Sequence, residues 1–337
     1  MIKIVIDCYG GDNSPIVNIE GAIKAINELK DLSIVFVGKE DEINNSLKNL
    51  EYDKSRVEII NADEIISLNE PPVQAIRTKN NSSMVKAFDL LHKDDSVNAM
   101  VSIGSTGALL AGSIFKIGRI PGVKRPAFCP ILPTMNKSIV AICDSGANVD
   151  CDSLNLHQFA IMGSLYLSCS FGKKNPKVAL LNIGVEEEKG DMLRKETYPI
   201  LKEDKSINFV GNMESRELLS GDFDLVVCDG FNGNVLIKST EGACLEMLKL
   251  LKKTFYKSTK NKIGALFLKK DIYELKDFMD YRNYGGAPML GIKKTVIKGH
   301  GSSTSTTVYN CIIQAYNMEK NHLIEQISTA INNSLNK

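Results

Sequence analysis

Short apolar runs alternate with helical patterns almost from one end of the chain to the other. "KIVIDC" is followed by "VNIEGAIKAINELK", "VNAMVSIG" by "STGALLAGSIF", and "DLVVCDG" by a helix after Asn232. Ser14 and Pro15 are typical of a helix cap and first turn, and further helices are predicted to begin near Ser153 and Glu187. Parallel strands are usually joined by helices, so this rhythm predicts an α/β fold with a largely parallel sheet flanked by helices.

Composition limits the class of protein. No linker rich in proline, glycine and serine divides the 337 residues, so we expect a single domain over 1–337, which at this length can form two lobes. A formal net charge of +1 argues against nucleic acid as the main partner. The first apolar run is too short for a secretion signal, and no run approaches the roughly 18 apolar residues of a spanning helix. We expect a cytoplasmic protein, with membrane association at most peripheral.

Cysteine usage does not indicate a metal site. The sequence has eight cysteines, with no C-x-x-C pair and no histidines at ligand spacing. Several, such as Cys143 in "SIVAICD" and Cys228 in "LVVCD", stand inside apolar runs, where free thiols behave as small hydrophobes. None is a convincing nucleophile.

Five turns that follow predicted strands combine glycine with polar residues. They are "DCYGGD" at 7–12, "GSTGA" at 104–108, "DSGAN" at 144–148, "NIGVEEEKG" at 182–190 and "DGFNGN" at 229–234. Ligands of open parallel sheets bind where strand ends meet the following helices, so these turns are predicted to converge on one cleft. Glycine permits close backbone approach, and the N–H groups that begin a helix favour an anion such as phosphate or a carboxylate. Glycine in any single turn can be explained by the positive φ that the turn requires. Five such turns with polar residues together favour a ligand-binding site.

The common nucleotide motifs are missing. "GSTGALLAG" lacks the G-x-G-x-x-G spacing, and "GNVLIKS" lacks one glycine of the P-loop, so neither NAD nor a nucleoside triphosphate is expected. Lys238 lies about one turn into its predicted helix, where it could reach an anion or face solvent. His300 stands between glycines in "GHGSSTSTT", whereas the other histidines lie in helical patterns, and both a catalytic and a structural role are open for it.

These motifs together resemble one enzyme family. "GGD" at 10–12, "STGALLAG" at 105–112, "GRIPGVKRPA" at 118–127, "GAN" at 146–148, "LNIGVEEEKG" at 181–190, the segment 209–242, "YGGAPMLG" and "GHGSS" follow the order of the bacterial phosphate acyltransferases of phospholipid synthesis. Those enzymes convert acyl-acyl carrier protein and inorganic phosphate into acyl phosphate. The chain departs from the usual pattern at Cys8, Tyr9 and Ser105.

The resemblance implies a fold related to phosphotransacetylase and the isopropylmalate dehydrogenase group, a homodimer, and no metal or redox cofactor. It also implies that the product passes to a membrane glycerol-3-phosphate acyltransferase. Two alternatives are a phosphotransacetylase-like enzyme that uses acyl-CoA and a non-catalytic peripheral membrane scaffold.

Site residues are predicted from residue type and motif position. Amides and backbone at 230–234 would supply hydrogen-bond donors, with Lys189 and Lys238 neutralising phosphate. His300 would orient phosphate or protonate the departing sulfur, and Asp229 would order the turn or hold a proton. The predicted catalytic residues are Lys238, His300, Asp229 and Asn234. The predicted phosphate- and substrate-binding residues are Gly10, Gly11, Gly104, Ser105, Thr106, Asn148, Lys189, Gly230, Asn232, Gly233 and Ser302.

The segment 246–281 is predicted to form a lysine-rich amphipathic helical hairpin. Residues 247–270 contain eight lysines and no acidic residue, and apolar residues recur there at spacings of three or four. The chain is predicted to reverse at 258–261 and Gly264. The hairpin could pack on a dimer partner, or meet an acidic carrier protein or an anionic bilayer.

Overall fold

The computed structural model describes residues 1–335, with the side chains of 276, 277, 279, 281 and 282 outside that description. The strands are β1 Ile2–Asp7, β2 Leu32–Gly38, β3 Val57–Asn61, β4 Val97–Ser102, β5 Ala127–Phe128, β6 Ile131–Pro133, β7 Ile139–Cys143, β8 Lys177–Asn182, β9 Asn208–Glu214, β10 Leu225–Val227, β11 Ala287–Leu290 and β12 Thr295–Lys298. The α-helices are α1 Ile16–Glu28, α2 Glu40–Leu47, α3 Pro72–Thr78, α4 Ser83–Lys93, α5 Thr106–Gly112, α6 Ser153–Phe171, α7 Met192–Glu203, α8 Gly230–Phe255, α9 Thr259–Phe267, α10 Lys269–Met279, α11 Ser305–Lys320 and α12 Leu323–Leu335.

The strands of the described residues form two sheets. The first sheet has the order β3-β2-β1-β4-β12-β11-β5, and the second has the order β6-β7-β10-β8-β9. Neighbouring strands run parallel except where β11 meets β12 and β5, and where β6 meets β7. The prediction of an α/β fold with largely parallel pairing flanked by helices is confirmed.

One hydrophobic core joins the two sheets. It contains fully buried Ile4 of β1, Phe159 of α6, Val227 of β10 and Ile312 of α11. Helix α6 is apolar on most of its surface, as expected for a helix covered by protein on all sides, and it packs on α7, α11, α12, β7 and β10. The strand ends that carry the glycine turns are therefore held on a rigid framework.

Capping side chains set where the helices begin. Helix α6 starts at Ser153 as predicted, with Asp152 accepting a hydrogen bond from the Asn155 N–H at 2.8 Å. The predicted start near Glu187 is wrong, because 183–190 form a turn and α7 begins at Met192 behind the cap Asp191.

The start of α1 also differs in detail from the prediction. Ser14 does not cap the helix, since its hydroxyl accepts from the Gly11 N–H at 3.1 Å, and Pro15 occupies the cap position. Ser14 therefore stabilises the preceding turn instead.

The lysine-rich segment consists of the end of α8, α9 and α10. Helix α8 continues to Phe255, and Ser258 caps α9 by accepting from the Asn261 N–H at 3.1 Å. The chain therefore changes direction near Ser258. Gly264 lies inside α9 and not at a turn, so that part of the prediction is wrong.

Candidate functional site

Asp229 fixes the start of α8. Its carboxylate accepts from the N–H of Asn232 at 2.9 Å, from the Asn232 side-chain amide at 2.8 Å and from Arg194 Nη2 at 2.5 Å. Burial opposes ionisation of Asp229, but the hydrogen bonds from Asn232 and Arg194 outweigh it and lower its pKa. Asp229 is therefore an ionised cap that orders the turn, which is one of the two roles predicted for it.

Glycines let α8 lie directly on the turn after β7. A Cβ built on Gly233 would lie 1.9 Å from the carbonyl oxygen of Asp144. The Gly230 N–H donates to the Asn148 carbonyl at 2.7 Å. Gly146 has φ +104°, and a Cβ there would lie 2.8 Å from Nδ2 of Asn234. The turn 144–148 and the start of α8 thus form one closely packed unit.

Asp144 is the buried centre of this unit, and sequence reasoning did not select it. Its carboxylate accepts from the Asn148 N–H at 2.7 Å, from the Asn148 side chain at 2.9 Å and from the Phe128 N–H at 2.9 Å. Burial raises its pKa to about 6, against these hydrogen bonds. Asn148 also donates to the Pro126 carbonyl at 2.7 Å, so its amide is engaged within the protein.

Several predicted phosphate donors are likewise engaged. The Gly230 N–H bonds to Asn148, the Asn232 N–H to the Asp229 side chain, and the Gly233 N–H to the Asp229 carbonyl at 3.0 Å. The structure gives these groups a role in building the turn. Their binding of phosphate stays a prediction.

One face of α8 carries the other predicted residues of this region. Asn234, Lys238, Glu241 and Leu245 follow one another at spacings of four, three and four residues and so share a side of the helix. Asn234 is partly buried, and Lys238 is exposed. Burial raises the pKa of Glu241, and the charge of Lys238 opposes that rise. This face runs from the turn 144–148 to the cavity that Glu241 and Leu245 line.

A cavity of about 290 Å³ lies beside that face, and His300 and Ser302 line it together with Glu241 and Leu245. The Ser302 N–H donates to Nδ1 of His300 at 3.2 Å, and the Ser302 hydroxyl lies 2.8 Å from the same nitrogen. Because Nδ1 accepts a hydrogen bond, the neutral ring carries its proton on Nε2. The structure therefore brings His300 and Ser302 together at one wall of this cavity.

The turns of the first sheet meet the same segment. A Cβ on Gly10 would lie 2.5 Å from Cα of Gly104, and a Cβ on Gly11 would lie 3.0 Å from the Gly301 carbonyl oxygen. The Asp12 N–H donates to that same oxygen at 2.9 Å. The turn 7–12 is thus packed against both Gly104 and the turn that carries His300.

Ser105 and Thr106 lie at the start of α5. Ser105 is buried and caps the helix, with its hydroxyl accepting from the Ala108 N–H at 3.4 Å. Thr106 is exposed. Contact of either residue with a ligand stays a prediction.

Asp7 is a buried carboxylate within electrostatic range of the partly buried Lys298, and sequence reasoning missed both. Asp7 accepts from the hydroxyls of Ser83 at 2.6 Å and Ser102 at 2.7 Å, and burial raises its pKa. Burial lowers the pKa of Lys298 to about 8, and its ammonium donates to the Gly299 carbonyl. The available signal was a single carboxylate at the end of the apolar run "KIVID".

Lys189 lies in the turn that follows β8 of the second sheet. It is exposed in the turn 183–190, and its carbonyl accepts from the Asn182 side chain at 3.1 Å. A cavity of about 480 Å³ nearby is lined by Asn182, Arg194, Asn232 and Ser239. Arg194 was also missed, because it is one of several charged residues in a helical pattern.

The five turns follow strands of two sheets, and Ala147 of the turn 144–148 also packs against the core cluster of the first sheet. Their convergence on one cleft stays a prediction. The turns 7–12 and 104–108 gather at the first sheet with 299–303, and the turns 144–148, 182–190 and 229–234 gather at the second. The face of α8 with Asn234 and Lys238 connects the second group to the cavity of His300.

Comparison with known proteins identifies the family. A family model described as "Fatty acid synthesis protein" matches residues 2–326. A phosphate acyltransferase of Clostridioides difficile (strain 630) is 45% identical over 330 residues, covering 98% of this chain and 96% of the relative. A phosphate acyltransferase of Bacillus cereus (strain B4264) is 46% identical over 330 residues, covering 98% of each. The chain belongs to the phosphate acyltransferase family.

Membership makes the protein an acyltransferase of fatty acid and lipid synthesis, and the resemblance seen in the sequence is confirmed.

Solved structures agree on the fold. A phosphotransacetylase from Staphylococcus aureus has a TM-score of 0.58 at 16% identity, with 94% of each chain covered. A branched-chain phosphotransacylase from Enterococcus faecalis V583 has a TM-score of 0.58 at 14% identity, covering 97% of this chain and 99% of that one. The phosphate acyltransferase thus shares the phosphotransacetylase fold, as predicted.

Proposed function

We propose that this phosphate acyltransferase transfers a long-chain acyl group from acyl carrier protein to inorganic phosphate, forming acyl phosphate for phospholipid synthesis. Family membership supports the reaction class. The observation that carries the proposal is the α8 face on which Asn234 and Lys238 lie between the glycine turn 144–148 and the cavity of His300.

The reaction makes modest demands that these groups can meet. Phosphate needs a cation and amide donors, which Lys238 and Asn234 offer on adjacent turns of one helix face. The thioester carbonyl develops negative charge, and loss of one preorganised donor to such an oxyanion typically costs about 3 kcal/mol of barrier. His300 with its proton on Nε2 can hydrogen-bond phosphate or protonate the departing sulfur. A thiol of ordinary pKa about 8.5 leaves readily, so a strong general acid is unnecessary.

Direct attack by phosphate fits the cysteines of the structure. Burial raises the pKa of the Cys143 and Cys228 thiols, which lie near the turns of the second sheet. Because the thiolate is the nucleophilic form, these two residues are poor acyl acceptors. The proposal therefore has phosphate as the nucleophile, without an acyl-enzyme at these positions.

We expect purified protein to release free thiol from hexadecanoyl-acyl carrier protein only when phosphate is present, without added metal or nucleotide. Free thiol is followed with a chromogenic disulfide reagent, and acyl phosphate is trapped with hydroxylamine. Lys238→Ala is expected to lower kcat/KM for phosphate by more than about tenfold, because charge-assisted hydrogen bonds contribute about 1.5 to 3 kcal/mol.

The matched control is Lys93→Ala, a helical lysine outside the segment 246–281 that is 72% exposed and lies 3.7 Å from Asp89. Equal release without phosphate would identify a thioesterase, and full activity with acyl-CoA alone would favour the phosphotransacetylase-like alternative. An inactive protein that recruits lipid enzymes would match the scaffold alternative. Unchanged phosphate dependence in Lys238→Ala and Asn234→Ala would remove the α8 face from the site.

The lysine-rich segment 246–281 is proposed to meet an anionic surface, either the acyl carrier protein or the bilayer to which the product is delivered. Leu266 and Phe267 are 68% and 85% exposed, and lysines such as Lys260 and Lys262 are exposed around them. Large exposed apolar groups at this density are typical of an interaction surface. Residues 1–335 include no helix with the length and apolar character needed to span a bilayer.

We further propose a homodimer and a handover of acyl phosphate to a membrane glycerol-3-phosphate acyltransferase, with the protein attached peripherally from the cytoplasm. Each lysine near an anionic membrane contributes about 1 kcal/mol, so the cluster can hold the enzyme at the surface by charge. Both the membrane and the carrier protein are compatible with this charge.

Changing Lys249, Lys252, Lys253 and Lys257 to Glu is expected to abolish salt-sensitive binding to vesicles of phosphatidylglycerol or to the carrier protein, with the fold intact. Vesicle sedimentation and titration of the carrier protein measure the two cases. A control variant makes the same charge change at exposed lysines elsewhere, namely Lys30, Lys48, Lys54 and Lys93. If the first variant binds both partners as the parent does, the segment is only a solvated face.

A further inference from the structure

The cavity beside α8 has walls suited to an alkyl chain. Its volume is about 290 Å³, and its apolar lining includes Leu132, Pro133, Leu219, Cys244, Leu248 and Phe278. These residues come from β6, the segment after β9, α8 and α10, so several elements enclose the same space. An apolar cavity of this kind favours an apolar ligand, whose transfer out of water is favourable in free energy.

The threonines that line the cavity have their hydroxyls engaged elsewhere. The Thr240 hydroxyl donates to the Leu236 carbonyl at 2.8 Å, and the Thr134 hydroxyl donates to Asn136 Oδ1 at 2.7 Å. Burial raises the pKa of Glu241, which agrees with an environment poor in water. These two threonine hydroxyls therefore do not require a polar group on a ligand.

The lining residues of α8 run in a line along the helix. Thr240, Cys244 and Leu248 are spaced by four residues and so form one row, which extends about 12 Å at 1.5 Å per residue. His300 and Ser302 line the same cavity. A molecule with a polar head at His300 can therefore lay an apolar tail along this row.

We propose that this cavity is the acyl groove, which holds the alkyl tail of the acyl group while its reacting carbonyl lies near His300. The inference rests on the proposed function for the identity of the acyl group, and it assigns Cys244 and Leu248 as the residues that set the usable chain length. Phe278 belongs both to the groove lining and to the lysine-rich segment. The same segment therefore contacts the alkyl tail and faces the proposed carrier or bilayer.

The test compares two tryptophan variants of one helix. Leu248→Trp fills the groove, whereas Leu250→Trp adds the same side chain at a position that is 58% exposed and does not line the cavity. We expect Leu248→Trp to lower the ratio of kcat/KM for hexadecanoyl- over hexanoyl-acyl carrier protein by more than tenfold, and Leu250→Trp to leave it within twofold. An equal fall for both chain lengths, the same effect in Leu250→Trp, or an altered oligomeric mass with an unchanged ratio overturns the proposal.

A second measurement does not depend on turnover or on the folding of a variant. Cys244 and Cys169 are both half-buried free thiols, and burial raises the pKa of each. Cys169 lies beside Asn321, away from the groove. Sodium palmitate is expected to slow alkylation of Cys244 in the parent protein at least tenfold, relative to hexanoate, while Cys169 reacts unchanged in peptide-resolved mass spectrometry.

The two proposals can fail separately. Protection of Cys244 without phosphate-dependent thiol release would support the groove and overturn the proposed function. Phosphate-dependent release without chain-length-dependent protection of Cys244 would support the function and overturn the groove.

Discussion

Gly233→Ala is expected to destabilise the protein by about 3 kcal/mol, at the upper end of overpacking changes in well-packed interiors. The added Cβ would lie 1.9 Å from the backbone carbonyl oxygen of Asp144 and 3.0 Å from Sγ of Cys228. A backbone oxygen in a turn fixed by hydrogen bonds from Phe128, Ala147 and Asn148 to the Asp144 carboxylate cannot move aside as a flexible side chain can. Urea unfolding followed by circular dichroism measures the change as a shift in midpoint.

Gly242→Ala is the matched control, since Gly242 lies in the same helix and a Cβ there has no atom within 4 Å. The control is expected to gain about 0.5 to 1 kcal/mol, because alanine loses less conformational freedom than glycine in a helix. If both variants gain stability, α8 does not rest on the turn 144–148 as described.

Asp229→Ala is expected to cost about 3 to 5 kcal/mol of stability, the range found when one partner of a buried ion pair is removed. The side chains of Arg194 and Asp229 are only 8% and 6% exposed, and the variant leaves the guanidinium buried with the exposed carboxylate of Asp191 and the Leu181 carbonyl as partners. It also removes the cap of α8. Thermal and urea unfolding of the parent and variant give the difference.

A double variant separates the charge from the cap. Arg194→Met in the Asp229→Ala background is expected to recover part of the loss, since no unpaired charge then stays buried. Asp191→Ala is the control, because that carboxylate is 60% exposed and its loss should cost about 1 kcal/mol, as for a helix cap. No recovery in the double variant would show that the cap, and not the ion pair, accounts for the loss.

The same pair predicts a pH dependence with a definite sign. The pKa of Asp229 is lowered in the folded protein, so its contribution is fully present above the ordinary aspartate pKa of about 3.9 and is lost as pH falls below it. The stability difference between the parent and Asp229→Ala should therefore shrink as the solution is made more acidic than pH 4.

Local sequence patterns were sufficient for strands β1, β4 and β10, for the helices that follow them, and for the largely parallel pairing. Each depends on residues close together in the chain, such as the apolar run 225–228 and the cap Asp229 that follows it. The start of α7 was misplaced because acidic residues at 186–188 resemble a first helical turn, whereas the real cap, Asp191, comes after Gly190 with φ +95°.

The site residues that were missed depend on contacts between distant segments. Arg194 meets Asp229 across 35 positions of sequence, and Ser83 meets Asp7 across 76. A pattern read along one helix does not show which charged residue turns inward, because that depends on the helix packed opposite. The division of the turns between two sheets has the same cause, since strand order is set by pairing between segments far apart.

The order of strands in the first sheet also determines when that sheet can be completed on the ribosome. Its interior strand β12, at Thr295–Lys298, pairs with the central strand β4, which is translated nearly 200 residues earlier. The second sheet uses only strands between 131 and 227, so it can close while the edge of β4 still lacks its neighbour. An unpaired parallel edge is a template for association with other chains. Nascent chains that stop before residue 295 should therefore be the aggregation-prone species in synthesis, and folding helpers that shield strand edges should act on them during that interval.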